Sequence, residues 1–60
     1  MTNTVLYIED NPDNTTLVRR ALEARGYKLI DAANGLKGVS LAETEDVQLI
    51  LLDINLPDID

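Results

Sequence analysis

Val5-Leu6-Tyr7-Ile8-Glu9-Asp10-Asn11-Pro12 decides the fold. Its apolar run, starting at Thr4, mixes β-branched and aromatic residues and reads as a short buried strand. Two acids close the run, and Asn11 followed by Pro12 starts a helix. An Asn side chain accepts a hydrogen bond from a free amide of the first turn, and Pro at the first position gives up an amide that would have no helical partner. Asp13 places negative charge where the helix dipole favours it. Leu17, Val18, Ala21 and Leu22 recur at helical spacing and are expected to form the core stripe, with Arg19, Arg20 and Glu23 on the other face and Arg19, Arg20 and Arg25 read as solvated. Gly26 after Arg25 is a stop signal, so the helix is expected over 12–25.

The remaining chain repeats this alternation. Residues 27–32 read as a second strand, and Asn34-Gly35 marks a turn. A second helix is expected over 36–43, with Val39 and Ala42 toward the sheet. Gly38 weakens it by about 1 kcal/mol relative to Ala. Residues 47–52 form the third strand, and its unbroken apolar character implies neighbours on both faces. The order is β-α-β-α-β, and right-handed crossovers make the three strands parallel. The first strand is expected in the centre, giving an α/β sheet of order 2-1-3 with one helix on each face. Leu56-Pro57-Asp58-Ile59-Asp60 reads as a loop that has not reached its next element.

Composition narrows the function. The chain has 60 residues, enough for one small domain. Its net charge of -6 argues against nucleic acid or anionic lipid as a partner of this segment, since both need a basic face. There is no Cys and no His, which excludes a thiolate nucleophile, a cysteine zinc site and imidazole acid–base chemistry. Met1-Thr2-Asn3-Thr4 lacks a basic leader, and no apolar run reaches membrane-spanning length. A cytoplasmic protein is expected.

The strongest chemical signal lies in the acids that end two strands. Glu9-Asp10 follows the first, and Asp53 follows Leu49-Ile50-Leu51-Leu52. In the expected topology all three emerge at the carboxyl edge, where open α/β sheets bind ligands. Clustered carboxylates repel one another, so they need a cation or resist ionising. Mg²⁺ is served by one or two carboxylates together with a phosphate oxygen and water. A carboxylate can also attack phosphorus to form an aspartyl phosphate. On that chemistry Asp10 and Asp53 are candidate ligands, Asp53 is the candidate nucleophile, and Glu9, one methylene longer, acts through a water. A calcium loop over 10–14 is disfavoured by Pro12 at a ligand position, and the absence of Gly there disfavours a dinucleotide site. Asn14-Thr15-Thr16 matches a glycosylation acceptor pattern but falls on the first helix.

These residues closely resemble the receiver domain of two-component response regulators. The resemblance rests on Val5-Leu6-Tyr7-Ile8-Glu9-Asp10-Asn11, on Asn34-Gly35, and on Leu49 to Asp60 with its Asp53-Ile54-Asn55-Leu56-Pro57 segment. It covers the whole chain and about the first half of such a domain. It implies a flavodoxin-like doubly wound fold in which residues 1–60 form a partial receiver, cut in the loop after the third strand. It also implies that Asp53 is the phosphoacceptor and that Glu9, Asp10, Asp53 and the backbone carbonyl of Asn55 hold Mg²⁺, with Mn²⁺ or Ca²⁺ as substitutes. Many receivers have Asp where Glu9 stands. The family's later Ser or Thr and Lys have no counterpart here, and Lys28 and Lys37 do not replace them.

The expected function is therefore that of a signalling phosphoacceptor rather than an enzyme, receiving its phosphoryl group from a histidine kinase or phosphotransfer protein. Two rivals stand beside it. One is a non-phosphorylated half-domain or scaffold that self-associates through the open edge of the third strand. The other is a fragment of a metal-dependent phosphatase.

Overall fold

Strand and helix alternate as the sequence implies: β1 (Thr4–Ile8), α1 (Pro12–Glu23), β2 (Lys28–Ala32), α2 (Gly35–Thr44) and β3 (Leu49–Leu52). The computed structural model describes residues 3–52; Asp53, Asn55 and the segment from Leu56 to Asp60 lie outside the described residues. The sheet has the order β2-β1-β3, and both pairings are parallel. β1 pairs with β2 from Thr4↔Lys28 to Ile8↔Ala32, and with β3 from Val5↔Leu49 to Ile8↔Leu52.

Strand alternation divides the sheet into two faces. Leu6 and Ile8 share one face with their register partners Ile30, Ala32, Ile50 and Leu52. There Leu6, Ile8 and Ala32 form the buried core, and Ile30, Leu41 of α2 and Val47 pack against it. Val5 and Tyr7 share the opposite face with Leu29, Asp31, Leu49 and Leu51. α1 lies over that side, where Arg19 donates to the Leu29 carbonyl at 3.3 Å and pairs with Asp31 at 2.5 Å. One helix therefore covers each face, as expected.

Both helices sit at a different rotation from the one their apolar residues imply. On α1, Thr15 is buried and Val18, Arg19 and Leu22 are half-buried, a spacing of i, i+3, i+4, i+7. Val18 and Leu22 of the expected stripe do turn inward, but Leu17 is 64% exposed and Ala21 is also exposed, their places being taken by Thr15 and Arg19. Arg19 accounts for the difference. Its aliphatic stem can lie along the sheet while its guanidinium bonds to β2, so it is no solvated residue.

On α2, Gly35 and Gly38 are buried and Leu41 reaches the core, whereas Val39 is 57% exposed and Ala42 is exposed. Gly38 explains this phase. A Cβ there would lie 2.7 Å from Ile8 Cγ1 and would crowd Cδ1 as well, so the missing side chain lets the helix backbone close on the strand. The glycine that looked like a weak point is the contact surface.

Element ends differ slightly. α1 stops at Glu23 with Ala24 as its cap, and Gly26 takes φ +88°, a conformation natural to glycine. β3 begins at Leu49; before it, Gln48 accepts from the Thr4 amide at 2.8 Å and donates its own amide to the Thr4 carbonyl at 2.9 Å. β3 is not enclosed on both faces among the described residues: Leu49, Ile50 and Leu52 are all about half exposed. Among the described residues the run lies at the sheet's edge, with β1 as its strand partner.

Gly38→Ala tests the close approach. Ala favours a helix by about 1 kcal/mol over Gly, but overpacking a core contact costs about 1–3 kcal/mol. The variant is expected to unfold at lower urea concentration than the parent. A higher midpoint would show that Ile8 yields freely.

Candidate functional site

The carboxyl edge of the sheet is level at Ile8, Ala32 and Leu52. β1 continues past that line by one bond, since the Glu9 amide donates to the Ala32 carbonyl at 2.9 Å. The Glu9 side chain is 4% exposed and turns back into the structure. Its Oε1 accepts a 2.6 Å hydrogen bond from Nδ2 of Asn14. A buried carboxylate needs such a donor, and a bond to an ionised acceptor is stronger than one between neutral groups. Asp10 follows at the bend and is exposed.

Asn11 then turns the chain into α1. Its backbone is extended, with φ -97° and ψ 112°, and its side chain accepts from the Asp13 amide at 2.9 Å. Its carbonyl receives both the Thr15 amide at 3.2 Å and the Thr15 hydroxyl at 3.3 Å. Pro12 occupies the first helical turn as expected. These bonds fix where α1 begins and so bring Asn14, one turn in, beside Glu9.

Of the predicted site residues, Glu9 and Asp10 are present at the carboxyl edge, one buried and one open. Asp53 and Asn55 lie outside the described residues. Among the described residues no group of three or more acids, His or Cys is gathered to hold a metal. Glu9 and Asp10 supply hard carboxylate oxygens, the donor type that suits a cation such as Mg²⁺. Lys28 is level with Thr4 at the opposite end of the sheet, so it takes no part at this edge.

Three features escaped the sequence reading. Asn14 enters the sequence reading only through a glycosylation pattern and a disfavoured calcium loop, although residues one turn into a helix commonly reach back across its start. Thr15 is buried beside the cap rather than solvated. Arg19 and Asp31 form a clasp across twelve residues that no local spacing announces.

The response regulator receiver domain matches residues 5–60. The chain belongs to this family. Curated receivers resemble it along nearly its whole length. The polar-differentiation response regulator DivK of Brucella ovis is 42% identical over 59 residues, covering 98% of this chain and 48% of that protein. DivK of Brucella anthropi gives the same identity and coverage. The chain thus spans about half the length of the curated relatives it matches. The observed parallel sheet of order 2-1-3 with two helices agrees with the flavodoxin-like receiver fold. A receiver is a signalling module and not a classical enzyme. No helix among the described residues is long and apolar enough to cross a membrane.

The Asn11 cap holds α1 against the candidate site. Asn11→Ala is expected to lower stability by about 1 kcal/mol and Asn11→Asp to retain most of it. Urea unfolding followed by circular dichroism measures both. Equal losses in the two variants would mean that the side-chain cap is not what anchors the helix.

Proposed function

We propose that this receiver accepts a phosphoryl group on Asp53 from the phosphohistidine of a histidine kinase or phosphotransfer protein, assisted by Mg²⁺. The observation that carries the reading is the position of Glu9 and Asp10, which follow directly on the last register pair, Ile8↔Leu52. Asp53 is the next residue after Leu52 in the sequence. A trans peptide keeps consecutive Cα atoms about 3.8 Å apart, and paired strands lie about 4.8 Å apart. Glu9 and Asp10 thus stand at the edge where β3 ends, and the sequence runs on from Leu52 into the third acid.

In this reading a carboxylate oxygen of Asp53 attacks phosphorus while the bond from phosphorus to the donor imidazole nitrogen breaks. The imidazole leaves with a proton, and Asp53 becomes an acyl phosphate. Mg²⁺ supplies charge neutralisation for the transferred group when bound. Glu9, Asp10, Asp53 and the Asn55 carbonyl would hold it, and Mn²⁺ or Ca²⁺ could occupy the same oxygens. The absence of a membrane-spanning helix among the described residues is compatible with a cytoplasmic setting. The added phosphate would bring charge and acceptor oxygens, which the whole protein would convert into a surface change.

Incubation with acetyl phosphate and Mg²⁺, followed by intact mass measurement, tests the assignment. The expected result is one added phosphoryl group per chain, none without Mg²⁺, and none in Asp53→Ala. An adduct that survives Asp53→Ala would remove the phosphoacceptor role, and continuous turnover of a phosphomonoester would favour the phosphatase reading.

A second reading draws on β3. Among the described residues β3 is an edge strand on which Leu49, Ile50 and Leu52 stand half exposed, a surface that favours self-association. Light scattering coupled to size-exclusion chromatography is expected to give a mass that rises with concentration. A concentration-independent monomer would dismiss it.

A further inference from the structure

Asn14 has a role beyond starting a helix. We infer that Asn14 is a positioning residue of the acidic pocket, its side-chain amide holding the buried Glu9 carboxylate in the orientation that serves a divalent cation. The inference rests on the reading of Glu9 and Asp10 as cation ligands.

The geometry is specific. The bond from Asn14 Nδ2 to Glu9 Oε1 is 2.6 Å, short for a nitrogen donor, and it joins the first turn of α1 to the residue that ends β1. Both ends are independently fixed: Glu9 by its amide bond to Ala32, and Asn14 by the Asn11 cap and the Thr15 bonds that set the start of α1. The bond therefore spans two rigid anchors and can dictate a side-chain conformation.

Glu needs this more than Asp would. Its extra methylene adds a rotatable bond, and an untethered Glu would spread its carboxylate over several rotamers. Engaging Oε1 from one side selects among them. The chemistry of the donor matters as well. An Arg or Lys in place of Asn14 would also bond the carboxylate, but its positive charge would oppose a cation at the same place. A neutral amide orients the carboxylate and leaves its charge intact. Partners outside the ligand shell of metal sites act this way, and their loss typically weakens metal binding about 10–100-fold.

The test is a titration of the isotopically labelled, unphosphorylated protein with MgCl2, read from amide chemical shifts, alongside thermal unfolding. In the parent protein the shifts are expected to saturate and to centre on Glu9 and Asp10. Asn14→Ala is expected to raise the Mg²⁺ dissociation constant about tenfold. Asn14→Leu, which keeps the side-chain size and lacks the donor, should do the same. In a Glu9→Ala background the Asn14→Ala change is expected to alter the constant less than twofold, because the two residues act as one unit. A purely structural Asn14 would move the thermal midpoint and leave the constant of the folded protein unchanged; that result overturns the proposal alone. An equal effect of Asn14→Ala with and without Glu9 overturns it too. A parent protein that shows no saturable Mg²⁺ shifts overturns the cation site itself and the inference with it.

Discussion

Parallel hydrogen bonding of β1 along both its edges is the constraint on which the rest of this structure depends. Parallel neighbours must be joined by crossover connections, and the helices of those crossovers come to lie on the faces of the sheet, so the central strand is covered on both. Leu6 reaches full burial at its centre. α2 meets one face and α1 the other, and each approach is shaped by a residue that is not a large hydrophobe. Gly38 lets α2 press its backbone on Ile8. Arg19 ties α1 to the carbonyl and side chain of β2. That partly exposed pair adds about 1 kcal/mol or less in water, so its main effect is on rotation and register rather than stability.

The same constraint delivers the chemistry. Because β1 is central and its pairing runs out at Ile8, the next residues leave the sheet at its carboxyl edge. There the first amides of α1 are near and ligands of open α/β sheets gather. Glu9 takes one more ladder bond before the chain bends, which turns a strand end into a fixed point. The local sequence around Asn11 and Pro12 then sets the start of α1 within two residues. The stretch from Val5 to Pro12 thus supplies the central strand, two acids of the candidate site and the start of α1.

The sequence made the topology plain. Apolar runs of strand length, a capped helix start and a glycine stop recur in order, and handedness leaves few sheets that fit. Helix phase was less legible, because apolar counts ignore two routes to burial. A glycine can face a core by having nothing to bury, as Gly38 does, and an arginine can face it with its stem, as Arg19 does. Composition does not tell edge from centre: Leu49 to Leu52 is more apolar than β1, and among the described residues it is the edge strand. Of the site, the acids at the end of β1 were visible as acids ending a strand. The Asn14 contact was not, since it depends on where a helix begins relative to a strand.

The register of β1 separates two scales of sequence distance. β2 meets it from residues 24 positions away and β3 from residues 44 away, taking Thr4↔Lys28 and Val5↔Leu49. The entropy of closing the longer loop exceeds that of the shorter by only about 0.5 kcal/mol. Distance along the chain therefore does little to separate the two pairings. Among the described residues burial does: β2 brings Leu29 and Ala32 into the interior, while Leu49, Ile50 and Leu52 of β3 stay about half exposed. Amide exchange at the two seams of one strand should then differ, with the β1–β3 seam opening more readily than the β1–β2 seam. The acids at the end of β1 would stand on the boundary between a slow seam and a fast one.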